Sequence, residues 1–191
     1  MDIGALDPFL RGLLFTDGTV TRALEVHTLS RVDLEVVDQA AAVGPDEVTQ
    51  HLQLAAGAEC LRRRVIMSLA GAPVVWAESY IVTDRLPEGF MGLLSESAHG
   101  IGDSLQQIKL ESWRELLWFE LGRSPRWASK PTRTTLVRLY RVITDGRPAL
   151  LITEAFAVES HSGTYRIPGS PGVAYGAAAD AHGLGRVGAG D

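Results

Sequence analysis

The stretch LVRLYRVITDGRPALLITEAFAVE, residues 136 to 159, decides the fold predicted for this chain. Two apolar runs flank Asp145-Gly146, a dipeptide typical of the tight turn in a β-hairpin. Because strand side chains alternate between two faces, one face of the second run combines Glu154 with four large apolar residues. These are Leu150, Ile152, Phe156 and Val158. A carboxylate in such surroundings is costly unless it is paired or used, so a rim position, a buried ion pair and a functional group all stay open.

A second hairpin is predicted from CLRRRVIMSLAGAPVVWAESYIVTD, residues 60 to 84, with its turn at residues 70 to 73. Alternation puts Arg63 on the apolar face of its first strand, and Arg62 and Arg64 on the opposite face. Three arginines on a solvated rim are the alternative interpretation. Both hairpins run from an arginine through an apolar strand and a Gly-x-Pro turn to a glutamate. Such short connections favour an antiparallel sheet with a few helices on one face.

The composition indicates a globular domain within a chain of 191 residues, of which 46% are apolar and 21% are charged. The net charge of −5 argues against a nucleic-acid-binding protein, since such proteins usually carry a basic face. The single cysteine, Cys60, excludes an intramolecular disulfide and predicts a cytoplasmic location. No apolar run is long enough to span a membrane. Neither a metal-ligand cluster nor a phosphate-binding motif is evident.

The other segments carry weaker signals. Asp7-Pro8 predicts a helix start, with an N-cap residue followed by proline. Residues 19 to 26 leave a turn and continue as a polar, β-branched stretch. Residues 108 to 121 suit a helix nearly as well as a strand, and we favour the strand. Gly100 and Gly102 suit either a close approach of the backbone to another group or a special backbone dihedral.

The C-terminal part has a different composition. After residue 160, glycine, alanine and proline dominate, and large apolar residues are few. Such a segment buries too little surface to offset its ordering entropy. We therefore predict one domain over residues 1 to 160, and a tail over 161 to 191 that is disordered from about residue 165 onward.

Arg63 and Glu154 are the candidate functional groups. If both point inward from different strands, they form opposite poles of an apolar cavity. They then either pair as a structural salt bridge or hold a small ligand between them. The planar fork of an arginine matches a carboxylate, and a glutamate can serve a ligand hydroxyl as hydrogen-bond partner or proton donor. A compact aromatic acid with a hydroxyl opposite its carboxylate fits both poles.

The chain resembles the chorismate pyruvate-lyase family, whose members convert chorismate to 4-hydroxybenzoate and pyruvate. The likeness spans about residues 8 to 158, and it is strongest to the small actinobacterial lyases. It is carried by five blocks in order: DGTVTRALE at 17 to 25, RRVIMSLAGAP at 63 to 73, AESYIVTDRLP at 77 to 87, GIGDSL at 100 to 105, and LYRVITDGRPALLITEAF at 139 to 156.

This resemblance implies an α+β fold, a six-stranded antiparallel sheet with helices, and a ligand enclosed beneath flap-like loops. It implies that Arg63 binds the ring carboxylate, with a slip to Arg62 or Arg64 left open, and that Glu154 serves the ether-oxygen end. A backbone amide near Val20 would support the carboxylate. The loop position with a binding role falls on Ile101, followed by Gly102.

The resemblance also implies a reaction without a metal or organic cofactor, and small-molecule partners only. Glu78 departs from the enterobacterial type of lyase, which has an arginine there, although the actinobacterial type shares the glutamate. The main alternative is a non-catalytic domain that binds a small aromatic acid. The effector domains of a large family of bacterial transcription regulators share this fold and bind small molecules without turnover.

Overall fold

A computed structural model describes residues 2–96, 100–127, 134–168 and 170 of the chain. The fold is built on one sheet of six antiparallel strands, and a two-stranded ribbon follows it. The strands are β1 (Val32–Val43), β2 (Glu59–Leu69), β3 (Ala72–Ile81), β4 (Trp113–Arg123), β5 (Thr134–Thr144), β6 (Arg147–Ala157), β7 (Glu159–His161) and β8 (Thr164–Arg166). The helices are α1 (Pro8–Phe15), α2 (Val20–Thr28), α3 (Asp46–His51), α4 (Phe90–Glu96) and α5 (Ile101–Gln107), with short 3-10 turns at Ile3–Ala5 and Thr83–Arg85.

The two predicted hairpins form the centre of the sheet, whose strand order is β1-β2-β3-β6-β5-β4. The turn between β5 and β6 is Asp145-Gly146, and both residues have positive φ, at 48° and 71°. The turn between β2 and β3 is Ala70-Gly71, with φ of 48° and 77°. These are the left-handed conformations that a two-residue hairpin turn requires. The second turn is therefore tighter than the four residues expected, because residues 72 and 73 already belong to β3.

Helices cover both faces of the sheet unequally. Leucines of α1 and α2 pack in one apolar cluster with β2, β3 and β6, and α4 and α5 pack in a second cluster on the same face. On the opposite face, Val48 and Leu52 of the α3 region pack against Leu139 and Leu151. The expectation that helices cover one face is therefore correct for α1, α2, α4 and α5 and wrong for α3.

Two local expectations have clear outcomes. The helix after Asp7 is confirmed, since the Asp7 carboxylate accepts the Leu10 N–H at 2.7 Å as a helix cap. The strand favoured over 108 to 121 is confirmed from Trp113 onward as β4, whereas Ile108 is the C-cap residue of α5 and residues 109 to 112 belong to neither element. No helix or strand was predicted over residues 19 to 26, where Thr19 is the N-cap residue of α2 and residues 20 to 26 lie in that helix. Burial of Val20 and Leu24, one helical turn apart, outweighs the weak strand preference of the β-branched residues there.

The end of the folded part lies beyond the predicted boundary at residue 160. Strands β7 and β8 pair with each other, and Ile167 is completely buried in the cluster around α1. The Tyr165 carbonyl accepts the Asp7 N–H at 2.9 Å. Disorder from residue 165 is therefore wrong for residues 165 to 168, because backbone hydrogen bonds and one buried isoleucine anchor them. Residue 169 and residues 171 to 191 lie outside the described part of the chain.

Two truncations test this boundary. Removing residues 171 to 191 is expected to leave the melting temperature within about 2 °C of the full chain, because their composition offers little surface to bury. Removing residues 161 to 191 is expected to lower it by roughly 5–15 °C, because the burial of Ile167 and the β8 contacts are lost. Differential scanning fluorimetry measures both, and Ile167→Ala in the full chain isolates the side chain. Equal melting temperatures for the two truncations would contradict the assignment.

No described helix has the length or apolar character to cross a membrane, and the longest, α2, has nine residues.

Candidate active site

A cavity lies between the helix-covered face of the sheet and the first residues of α2 and α5. Together with its opening to solvent, it encloses about 540 Å³. Residues of β2, β3, β5 and β6 form its floor, Arg114 of β4 lies at one side, and the segments 18–21 and 100–103 line the rest. All five residues predicted for the site line this one cavity. They are Arg63, Glu154, Val20, Ile101 and Gly102.

Strand pairing arranges the floor in two rows. The first row is Arg63, Ser79, Ile152 and Tyr140, and the second is Val65, Ala77, Glu154 and Arg138. Arg63 and Glu154 are thus two strands and two residues apart, which separates their backbones by about 12 Å. This spacing leaves room between their side chains. Glu154 forms its salt bridge with Arg138 and not with Arg63.

Arg63 is 2% exposed and lies under α4. Its Nη1 atom donates to the Gln39 side-chain oxygen at 2.9 Å and to the Leu94 carbonyl at 2.7 Å. That carbonyl belongs to the last turn of α4, where carbonyl groups lack partners within the helix. Burial lowers the pKa of Arg63 from its ordinary value. The neutral oxygen atoms of Gln39 and Leu94 thus hold Nη1 of this buried side chain at the edge of the cavity.

The ion pairs of Arg62 and Arg64 show which of the three arginines points inward. Arg62 pairs with Asp38 at 2.7 Å and Arg64 pairs with Glu78 at 2.6 Å, on the opposite face of the sheet. Both side chains are about a quarter exposed, at 29% and 25%. The inward orientation predicted for Arg63 from alternation is therefore confirmed. Glu78, the departure noted in the sequence, is the partner of Arg64 and does not line the cavity.

Glu154 lies at the other pole, and its carboxylate is held from two sides. Arg138 donates from Nε to Oε2 at 2.7 Å, and its Nη2 lies 2.6 Å from the same oxygen without an aligned hydrogen bond. The Tyr140 hydroxyl donates to Oε1 at 3.1 Å. An acceptor of two donors is the pattern of an ionised carboxylate. The buried ion pair left open in the sequence is therefore present, with Arg138 as the cation, and Glu154 still faces the cavity.

Arg138 joins this pair to α1. It is 1% exposed, and its Nη1 donates to the carbonyls of Leu13 and Leu14 in the last turn of that helix. Burial acts to lower the pKa of Arg138, but the Glu154 carboxylate and the Tyr140 hydroxyl outweigh it and raise the pKa. A cation at a helix C-terminus is favourable. One side chain thus caps a helix, neutralises Glu154 and fixes the position of the carboxylate.

Tyr140 lies beside Glu154 on the floor of the cavity. It lines the cavity, and the Arg138 guanidinium lies 4.6 Å from its ring centroid. Burial and the Glu154 carboxylate raise the pKa of Tyr140 well above its ordinary value. The phenol is therefore neutral at physiological pH, and it remains a hydrogen-bond donor.

The loop residues of the predicted site belong to helix starts. Val20 is the first residue of α2, and Ile101 is the first residue of α5. Main-chain N–H groups in a first helical turn have no partner within the helix. At Gly102, a Cβ would lie 3.0 Å from Cγ2 of Thr19 and 3.4 Å from Nη2 of Arg114. The close approach predicted for this glycine is confirmed.

Three residues that line or adjoin the cavity were not predicted from the sequence: Arg114, Arg138 and Tyr140. The signal for two of them was available. In LVRLYRV, alternation places Arg138 and Tyr140 on one face with the apolar residues Leu136 and Val142, as it does for Arg63. Arg114 carried no such signal, because its segment was ambiguous between helix and strand.

Comparison with known proteins identifies the family. The model of the Rv2949c-like chorismate pyruvate-lyases matches residues 14–162. The chain belongs to this family. The resemblance seen in the sequence is thereby confirmed, and the match covers every described residue of the cavity.

Named relatives agree with the family match. A chorismate pyruvate-lyase from Mycobacterium leprae is 29% identical over 163 residues, which are 81% of this chain and 77% of that protein. A chorismate pyruvate-lyase from Mycobacterium tuberculosis H37Rv is 29% identical over 165 residues, 81% of this chain and 82% of that protein.

Solved structures share the fold at low identity. PhnF from Mycobacterium smegmatis has a TM-score of 0.58 at 10% identity, covering 74% of this chain and 64% of that one. The ligand-binding domain of a protein from Bordetella bronchiseptica that is assigned to the GntR family of transcriptional regulators has a TM-score of 0.52 at 16% identity, covering 72% and 87%. The expected α+β fold with a six-stranded antiparallel sheet is confirmed.

Proposed function

We propose that this protein is a chorismate pyruvate-lyase, which eliminates pyruvate from chorismate and leaves 4-hydroxybenzoate. The observation that supports this most is the coincidence of the family match with one cavity that has Arg63 at one pole and Glu154 at the other. Chorismate carries a ring carboxylate at one end, and a hydroxyl and an enolpyruvyl ether at the other. The two poles complement these two ends.

The reaction balances without an oxidant or reductant. The ring carbon that bears the hydroxyl loses its proton, and the adjacent carbon loses the ether oxygen together with the bonding electron pair. The ring becomes aromatic as 4-hydroxybenzoate. The departing enolpyruvate takes up one proton at its methylene carbon and becomes pyruvate. Because aromatisation drives the elimination, the protein contributes mainly by binding and orienting the substrate.

At the carboxylate pole, Arg63 supplies the anchor. Its guanidinium carries five N–H groups in a planar fork, which suits a bidentate pair with a carboxylate. The start of α2 at Val20 adds main-chain N–H groups beside the same cavity. Burial strengthens this interaction, because water does not compete for the charges there.

At the opposite pole, Glu154 acts as an acceptor for the ring hydroxyl. Of the two roles considered for it, proton donor and hydrogen-bond partner, the second agrees with the donors that Arg138 and Tyr140 direct at the carboxylate. Tyr140, a neutral phenol, is a hydrogen-bond donor at this pole. Ile101 and Gly102 line the same cavity and would contact the bound substrate.

The proposal is tested with purified protein and chorismate in buffer containing a chelator. Pyruvate is followed by coupled oxidation of NADH, and the benzoate is identified by chromatography against the 2-, 3- and 4-hydroxy isomers. We expect pyruvate and 4-hydroxybenzoate in equal amounts. Absence of both products would refute the lyase assignment. Turnover that stops with the chelator would refute only the expectation of a metal-independent reaction.

A second candidate function is non-catalytic binding of a small aromatic acid. It is favoured by the shared fold with the ligand-binding domain from Bordetella bronchiseptica. Calorimetry distinguishes the two. A binding domain would take up 4-hydroxybenzoate and leave chorismate unconverted, whereas the lyase would convert it.

A further inference from the structure

Arg114 is a cation at the cavity that has no counter-ion within the described part of the chain. Among the described residues, no carboxylate lies within ion-pair distance of its guanidinium. Five other arginines each pair with one carboxylate: Arg62, Arg64, Arg138, Arg141 and Arg166. The Asp17 carboxylate is near, but it accepts the main-chain N–H of Arg114 at 3.2 Å, and the guanidinium donates to the Asp17 main-chain carbonyl. The charge of Arg114 is therefore not neutralised within the described chain.

Unused donors surround this position. Nε of Arg114 is buried and lacks a hydrogen-bond partner among the described residues, and so does the hydroxyl of Thr19. Thr19 is 7% exposed and also lines the cavity. Leaving two buried polar groups unsatisfied is unfavourable, and native proteins rarely do so without a reason. An anion placed here would accept from both.

Arg114 lies at the Glu154 pole and not at the Arg63 pole. Strand β4 is four strands away from β2, so the backbones of Arg114 and Arg63 are separated by roughly 19 Å across the sheet. The guanidinium of Arg114 lies 5.9 Å from the ring centroid of Tyr140, whose hydroxyl donates to Glu154. Its Nη2 lies beside Gly102. The cavity thus has two cationic ends, and the ion pair of Glu154 with Arg138 lies near the second.

The other carboxylate in the cavity does not alter this arrangement. Asp103 lines the cavity on the side of Gly100. Its Oδ2 lies 3.4 Å from the position that a Cβ on Gly100 would occupy. It forms no described ion pair with Arg114.

We infer that Arg114, assisted by the Thr19 hydroxyl, binds the second carboxylate of the substrate, that of the enolpyruvyl group. This inference rests on the proposed function, because chorismate has two carboxylates and 4-hydroxybenzoate has only one. Arg63 takes the carboxylate that stays on the ring, and Arg114 takes the one that leaves with pyruvate. Arg114 thereby orients the ether bond that breaks, and it discriminates the substrate from the product.

The test compares Arg114→Gln with the wild-type protein, with two ligands. We expect kcat/KM for chorismate to fall by about 10- to 100-fold, which is the effect expected from losing one charge-assisted hydrogen bond to the substrate. The dissociation constant for 4-hydroxybenzoate is expected to change by less than about twofold, because this product has no group at Arg114. Arg114→Lys should recover part of the loss, since it keeps the charge. Arg123→Gln, an exposed arginine on the same strand, is the matched control.

Each outcome bears on the inference. A selective loss for chorismate supports it, whereas equal losses for chorismate and 4-hydroxybenzoate, or no loss for either, overturn it. If the wild-type protein binds chorismate without converting it, calorimetry replaces kinetics. Selective weakening of chorismate binding in Arg114→Gln would then support the inference although the lyase function has failed. A wild-type protein that does not bind chorismate overturns both.

Discussion

The Arg138→Met variant is expected to lower the free energy of unfolding by about 3–5 kcal/mol, the cost of removing one partner of a buried ion pair. Glu154, 5% exposed, would remain as an uncompensated carboxylate. The carbonyls of Leu13 and Leu14 would also lose their donor. Urea unfolding followed by tryptophan fluorescence measures the change. Arg62→Met, which breaks a partly exposed pair with Asp38, is the matched control and should cost less than about 1 kcal/mol.

The double variant Arg138→Met/Glu154→Gln separates the structural role of Glu154 from its role at the substrate. Removing both charges of a buried pair is much less costly than removing one, so the double variant should recover most of the lost stability. Its activity should stay low, at about one-hundredth of the wild-type kcat/KM or less, because a neutral amide replaces the carboxylate that accepts from the substrate hydroxyl. A stable double variant with near wild-type turnover would leave Glu154 with a structural role only.

The Arg63→Gln variant is expected to lower kcat/KM for chorismate by roughly 1000-fold, because the carboxylate anchor is lost in a desolvated site where charges interact strongly. Unlike Arg114→Gln, it should also weaken the binding of 4-hydroxybenzoate, by about 100-fold, since substrate and product share the ring carboxylate. Arg63→Ala should be at least as severe, and it should also leave the Leu94 carbonyl without this donor. Initial rates and calorimetry provide the two measurements.

The control for Arg63 is its neighbour in the strand. Arg62→Ala should change turnover by less than about twofold, because its side chain lies on the other face of the sheet with Asp38. Equal losses at positions 62 and 63 would contradict the assignment of the carboxylate anchor. Circular dichroism and the melting temperature of each variant exclude unfolding as the cause of lost activity.

Much of the fold followed from short-range patterns. The turns Asp145-Gly146 and Ala70-Gly71 need positive φ at two successive positions, and few sequences supply it. Once the turns are placed, alternation determines which side chains share a face. For this reason Arg63 was separated from Arg62 and Arg64 without any knowledge of the tertiary structure. Local patterns did not predict α2, where contacts made through Val20 and Leu24 outweigh the strand preference of individual residues.

The candidate site was predicted only in part, for a physical reason. Local alternation identifies an inward-facing charge, but it does not identify the partner. Glu154 was recognised as a buried carboxylate, yet its ion pair with Arg138 depends on β5 lying beside β6 in one particular register. Arg114 was missed because it reaches the cavity from the edge strand β4, in a segment whose periodicity was ambiguous.

The amino-acid sequence alone therefore determines the central hairpins and the inward face of their strands, because these depend on neighbours within a few residues. The tertiary structure alone decides that Glu154 is bound by Arg138, that Arg138 caps α1, and that Arg114 and Thr19 meet beside Gly102. These contacts join residues that are 12 to 125 positions apart in the chain. They form only when the sheet closes under the helices, and burial then makes each charge depend on its partner.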